Sequence, residues 1–187
     1  MKKSILMFIV CITSFGYVNA QRYLPGQEGI QLTLGTVNGI NLKKAFYGGA
    51  SVATYTQNDS RWVIGAEFLQ KQLDYTQVQI PVAQFTAEGG YYYSFLSDPS
   101  KTLLLSIGAS ALAGYETSNW GNKLLFDGAT LLNQDAFLYG GALTLELETF
   151  ITDRIILLVN ARERAVWGSS IGEFSTQLGT GLKIIIN

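Results

Sequence analysis

The sequence predicts an all-β chain: an eight-stranded antiparallel up-and-down β-barrel of the outer-membrane type, following a cleaved signal peptide. Three observations lead there. Blocks of roughly nine to sixteen residues, rich in Gly, aromatic and β-branched side chains, recur between turn-forming clusters. Within the blocks, apolar and polar side chains alternate with the period of two that puts successive residues on opposite faces of a strand. The chain is also 48% hydrophobic yet only 14% charged, where an ordinary soluble domain carries roughly 25% charged residues. No stretch after Ala20 is long and apolar enough for a membrane helix, so a membrane reading is a β reading.

The length, 187 residues, fits one domain. Residues 1–20 read as an export signal. Lys2 and Lys3 precede an apolar run from Ile5 to Ile12, and Val18-Asn19-Ala20 supplies small residues before a cut between Ala20 and Gln21. The run is too short to cross a bilayer as a helix. Residues 21–187 are then a single barrel domain. Taking two lysines from the 13 basic residues leaves 11 against 14 acidic ones, a formal charge of −3. Without clustered Lys and Arg, no direct nucleic-acid binding is expected. The one cysteine, Cys11, lies in the leader, and the chain has no histidine. Disulfides, thiolate chemistry, histidine triads and the usual zinc sites are excluded, and no cofactor or metal site is expected.

Eight strands are predicted, over 29–37, 44–57, 61–72, 80–96, 101–115, 136–151, 154–167 and 172–186. Tight turns at Asn58-Asp59-Ser60, Ser97-Asp98-Pro99-Ser100 and Thr152-Asp153 alternate with longer loops, the short-periplasmic, long-outside rhythm of outer-membrane barrels. An even strand count returns both termini to the periplasmic side. The longest connection, 116–135, joins strands five and six and faces outward.

Alternation assigns the faces. In strand six Phe137, Tyr139, Leu143, Leu145 and Leu147 oppose Thr144, Glu146 and Glu148. In strand seven Ile155, Leu157, Val159 and Ala161 oppose Asn160, Arg162 and Arg164, and Glu163 breaks the pattern. Strand four sets Phe85, Ala87, Tyr91 and Tyr93 against Gln84, Thr86 and Glu88. Strand eight sets Leu178, Leu182 and Ile184 against Gln177, Gly179 and Lys183. An eight-stranded barrel has an interior only just wide enough for packed side chains. The faces rich in Gly, Ser and Thr therefore line the lumen, and the bulky apolar faces meet lipid. Trp62, Tyr93, Phe95 and Phe150 fall toward one rim and Tyr115, Phe137, Trp167 and Phe174 toward the other, as two interfacial girdles. The competing reading is a soluble lipocalin-like periplasmic binding barrel with its apolar face inward.

Glu146 and Glu148 resemble a paired-carboxylate acid/base site. With strands six and seven in a hairpin, however, Arg162 lies diagonal to Glu146, within ~7 to 8 Å. Buried charges persist when paired, so Glu88, Glu146, Glu148, Arg162 and Arg164 are expected to form a structural network in the lumen. No nucleophile stands beside the carboxylates, and no enzymatic activity is expected. The pairs Gly48-Gly49, Gly89-Gly90 and Gly140-Gly141 sit inside strands and mark bends or close packing rather than phosphate loops.

Near the C-terminus, Gly179, Gly181, Ile184 and Ile186 have a spacing that resembles a barrel-assembly signal, with Ile186-Asn187 in place of the usual terminal aromatic. The segments QRYLPGQEGIQ from Gln21, RWVIGAEFLQKQ from Arg61 and IPVAQFTAEGGYY from Ile80 carry a wider likeness. So do the long run that begins SDPSKTLLLSIGASALAGYETSNWGNK at Ser97 and LLVNARER from Leu157. Together they resemble the TraO proteins of Bacteroidales conjugative transposons across nearly all of the mature chain. The resemblance implies a component of a conjugative transfer apparatus, a type IV secretion system, in the outer envelope, with other apparatus proteins and outer-membrane lipid as partners. It carries no catalytic residue. The outward loop, with Asn119, Trp120, Asn122, Lys123, Phe126 and Asp127, is the candidate partner surface. A general surface barrel for adhesion or surface exclusion shares the fold and differs in its partners.

Overall fold

A computed structural model describes residues 22–75, 78–122, 130 and 135–186. The leader with its cleavage pair Ala20 and Gln21, and the loop residues Lys123, Phe126 and Asp127, lie outside the described residues. Eight strands follow one another: β1 (Glu28–Val37), β2 (Ala45–Tyr55), β3 (Arg61–Tyr75), β4 (Val78–Ser97), β5 (Leu103–Ser118), β6 (Asp135–Phe150), β7 (Ile155–Trp167) and β8 (Phe174–Ile185). They form a closed barrel in chain order. The seam is the antiparallel pair β1 and β8, running from Gly29 opposite Ile185 to Val37 opposite Gln177. Closure leaves no strand edge to hydrogen-bond elsewhere, which is the condition for a sheet to sit in hydrocarbon.

The periodicity places every strand; at the tight-turn end β2 stops at Tyr55 rather than 57 and β5 starts at Leu103 rather than 101, and the larger differences lie at the outer ends. The β3 and β4 ladder continues to Tyr75 opposite Val78, beyond the expected ends at 72 and 80. β5 runs to Ser118 rather than 115. Ladder hydrogen bonds need no apolar face, so pairing persists where the lipid-facing pattern has faded. Tight connections sit at the end that also holds the start of β1 and the end of β8. There Asn58 and Asp59 take left-handed backbone, with φ of 59° and 58°, a conformation that short polar side chains tolerate better than most.

The inward and outward faces alternate without a break along β7. Ile156, Leu158, Asn160, Arg162, Arg164 and Val166 are buried, while Ile155, Leu157, Val159, Ala161 and Glu163 are exposed. Leu143 is 62% exposed and Arg164 0%. That inversion decides between the two barrel types: a soluble carrier would hide the leucine and expose the arginine.

The lumen is more layered than a simple polar wall. At the end with the tight turns, Tyr55, Val63, Leu104, Ile156 and Leu158 join Tyr23 and Phe150 in an apolar floor. At the opposite end, Val37, Tyr47 and Leu69 form one apolar patch and Leu112, Leu138 and Val166 another. The ionic side chains lie between. Outside, Trp62, Tyr93 and Phe95 are exposed toward one rim and Tyr115, Phe137, Trp167 and Phe174 toward the other. Tyr139 stacks between Phe137 and Trp167, at 6.5 and 5.9 Å between ring centroids. Phe150 is a correction to the expected girdle. It shares the parity of Glu146 and Glu148, points inward and packs 5.3 Å from the Tyr23 ring.

Close approach of neighbouring strands explains one glycine in particular. A Cβ at Gly140 would stand 2.0 Å from the Ala165 carbonyl oxygen, whereas one at Gly89 would meet nothing within 4 Å. Gly140→Ala should therefore lower unfolding free energy by about 1–3 kcal/mol through overpacking, with Gly89→Ala near the parent. Urea midpoints in detergent micelles test this, and equal midpoints for the two variants would count against the packing.

Candidate functional site

The chemistry-bearing side chains converge on a belt across the middle of the lumen. Inward positions on β3, β4, β6, β7 and β8 supply four basic residues, Arg61, Arg162, Arg164 and Lys183, and four acidic ones, Glu67, Glu88, Glu146 and Glu148, so the belt is formally neutral. On the floor side, Arg61 is paired with Glu146, and its Nη1 stands 2.9 Å from Glu148 Oε1. Lys183 donates to Glu148 and lies 3.9 Å from Glu146. The Arg61 guanidinium also sits 4.8 Å from the centre of the Tyr92 ring, a cation–π contact that strengthens away from water. Farther up the barrel, Arg162 bridges Glu67, at 3.2 Å, and Glu88. Arg164 Nη1 reaches the other Glu67 oxygen at 2.9 Å, and Gln177 Nε2 donates to that same oxygen at 2.8 Å.

All five residues expected in the lumen, Glu88, Glu146, Glu148, Arg162 and Arg164, line it, but not in the expected pairs. Arg162 is opposite Thr144 and Glu146 opposite Asn160, which is the diagonal relation. The Arg162–Glu146 pair nevertheless does not form. In a narrow cylinder a long side chain reaches the facing wall as readily as it lies along its own. Arg162 therefore crosses to β3 and β4, and Arg61 crosses from β3 to take Glu146. Arg61, Glu67 and Lys183 were absent from the expected network. Parity in strands three and eight places all three inward, and that signal was available. Glu146 and Glu148 are 2% and 0% exposed, and each of their cation partners is itself buried, so neither carboxylate faces a cleft. Among the described residues, no group of three or more His, Cys, Asp and Glu side chains is placed to hold a metal.

The segment just before β1 closes the floor, and nothing in the strand pattern foretold it. Tyr23 is 1% exposed, stacks on Tyr55 at 3.6 Å, and donates its hydroxyl to Glu148 at 2.6 Å. Burial first, and then the neighbouring Glu148 charge, push this phenol far above the usual tyrosine range, so it remains a donor. The left-handed turn aims Asp59 at the same segment. One carboxylate oxygen accepts the backbone N–H groups of Arg22 and Tyr23, each at 3.1 Å, and the other accepts Lys101 Nζ at 2.6 Å. Arg22 reaches Asp153 at 2.9 Å and lies over the Phe150 ring at 4.4 Å.

The opposite mouth is covered by the connection between β7 and β8. Glu116, at the outer end of β5, accepts hydrogen bonds from Gln84, Ser169, and the backbone and hydroxyl of Ser170, at 2.5 to 2.9 Å. Ile171 then packs on the Val37, Tyr47 and Leu69 patch, and Lys71 Nζ donates to its carbonyl at 3.3 Å. Of the candidate partner loop, Asn119, Trp120 and Asn122 are described. They form a tight turn directly after β5 in which the exposed Trp120 adopts φ of 53°. Asn119 Nδ2 donates to the Asn122 carbonyl at 3.0 Å.

Comparison with known proteins adds the family. The conjugative transposon protein TraO family matches residues 24–186. The chain belongs to the TraO family of conjugative transposon proteins. Its barrel is similar to that of Neisserial surface protein A, with a TM-score of 0.54 and 14% identity over 85% of this chain and 97% of that one. It is also similar to Ail, the attachment invasion locus protein of Yersinia pestis, solved with the heparin analogue sucrose octasulfate. There the TM-score is 0.53, with 10% identity over 86% of this chain and 100% of that one. At such identities the likeness is one of fold: this TraO family member is built as an outer-membrane-type barrel. None of the curated proteins compared with it matches significantly.

Arg61 holds two carboxylates at once, so its removal is the sharpest test of the belt. Arg61→Met should cost about 3–5 kcal/mol, because it leaves buried charge uncompensated. Tyr23→Phe, which removes one hydrogen bond to a carboxylate, should cost about 1.5–3 kcal/mol. Both are read from urea unfolding followed by tryptophan fluorescence. An Arg61→Met midpoint equal to the parent's would show that the belt contributes nothing to stability.

Proposed function

We propose that this protein is a non-enzymatic outer-membrane component of the conjugative transfer apparatus, a structural or docking barrel used during mating-pair formation. Residues 1–20 export it, and cleavage after Ala20 releases a chain that begins at Gln21. Membership of the TraO family together with a lumen crossed by side chains at three levels carries this reading. A cylinder filled by the floor, the ionic belt and the lid has no path for DNA or polypeptide. The barrel by itself is therefore not the transfer channel, and its contacts with other apparatus proteins run through its outer surface. The turn with Asn119, Trp120 and Asn122, at the end opposite the start of β1 and the end of β8, is one place for such contacts. The carboxylates serve the cylinder rather than a reaction, because each is held by a cation and shut away from any substrate.

Deleting the gene in donor cells should abolish or strongly reduce transfer, and supplying it in trans should restore it. Unchanged donor transfer with altered recipient behaviour would instead assign the protein to surface exclusion. In parallel, the membrane-fraction protein should migrate differently on a denaturing gel before and after boiling. Purified barrel in planar bilayers should give no stepwise conductance, and large steps would overturn the sealed-lumen reading.

A further inference from the structure

Every other neighbouring pair of strands in the cylinder is tied at one end by the chain itself, but β1 and β8 are not. The seam is held by its ladder and by side chains. Its own inward residues supply little in the middle, where Thr33 faces Gly181 and Gly35 faces Gly179, and a glycine in a strand has no side chain to pack. What fills that bare stretch comes from outside the seam. Tyr47 of β2 is opposite Gly35, Gly35 is opposite Gly179, and Gly179 is opposite Asn160 of β7, so the four residues form one row across the wall.

The buried Tyr47 ring lies along that row on the lumen side. A Cβ at Gly35 would stand 2.7 Å from Tyr47 Cε1, and one at Gly179 would collide with the Tyr47 hydroxyl. That hydroxyl passes over both glycines and donates to Asn160 Oδ1 at 2.9 Å. With ~4.8 Å between neighbouring strands, three intervals make roughly 14 Å of wall. A tyrosine and an asparagine reaching toward each other span it only where no side chain stands between them, and the two glycines give that clearance. We propose that Tyr47 is the clasp of the barrel: one side chain, rooted on β2, crosses both seam strands to β7 and resists their parting within the membrane. Parted strands would turn unpaired N–H and C=O groups toward hydrocarbon, which cannot satisfy them. Gly179 and Asn160 belong to the last two strands, so the clasp forms only when the cylinder closes. A clasped seam offers no strand edge, so other proteins meet this barrel on its surface rather than by adding a strand to it.

A second ring supplies the matched control. Tyr92 of β4 lies over Gly108 of β5, and its hydroxyl donates to Thr144 Oγ1 of β6 at 3.4 Å, an equivalent crossing away from the seam. Amide hydrogen exchange of the folded barrel in micelles, read residue by residue by NMR, reports local opening. Leu32 faces Leu182 and Leu34 faces Thr180 across the seam. Tyr47→Ala should speed exchange of these four amides by roughly tenfold or more. Ser106, Ser110, Ala142 and Glu146, facing one another between β5 and β6, should stay near the parent. Tyr92→Ala should give the reverse pattern. Tyr47→Phe should keep the ring and the fold while losing the bond to Asn160, and speed the seam amides roughly threefold to tenfold. Seam amides that exchange as in the parent in Tyr47→Phe, or a Tyr47→Ala rise equal across every ladder, would defeat the proposal.

Discussion

Closure of eight strands governs the rest of this structure, because it makes an interior about one layer of side chains wide. Any charge placed there must find its partner within that width. The belt meets the demand with equal numbers of basic and acidic groups, shared so that Arg61, Arg162, Glu67 and Glu148 each serve more than one partner. Removing one member is far more damaging than the net worth of any pair, because the surviving charges remain buried. The belt also specifies register. A slip of one residue along β7 would turn Arg162 and Arg164 into lipid, at about 2–4 kcal/mol each near the midplane. The stability that an all-apolar lumen would match is thereby coupled to a single arrangement of the strands.

The two ends of the cylinder are closed by different means. At the floor, a segment outside the sheet inserts an aromatic ring, and the Glu148 carboxylate that accepts its hydroxyl also belongs to the belt. The floor and the belt therefore share a member and should loosen together. At the other mouth, Glu116 gathers donors from β4 and from the connection between β7 and β8. Among the described residues, the cover there is held by hydrogen bonds and by Ile171 on the Val37, Tyr47 and Leu69 patch.

What the sequence reveals about this fold follows from what is local to a strand. A period of two needs only neighbouring residues, so strand number, the inside-out arrangement and the inward facing of Glu146, Glu148, Arg162 and Arg164 were all legible. Phe150 obeys the same rule: its parity with Glu148 outweighs its position near a rim. Arg61, Glu67 and Lys183 were legible by parity, but their partners were not. Pairing across a lumen depends on strand tilt and on the relative heights of residues far apart in the chain. Tyr23 and Asp59 lie further from reach. Their contact joins a segment before the first strand to a turn between the second and third, and neither carries a periodic signal. The β3 and β4 extension carries no such signal, because backbone pairing outlasts the apolar alternation that reveals a strand.

A sealed cylinder shifts the question of function from the lumen to the surface. With the interior committed to its own charges, the means of recognition left to the protein are its rim loops, its tight turns and the wall between them. The wall carries most of that surface and is the part least free to vary, since lipid tolerates almost nothing but apolar side chains there. Glu163 departs from that demand: it points outward from β7 and is held there by the Thr176 hydroxyl rather than by a cation in the lumen.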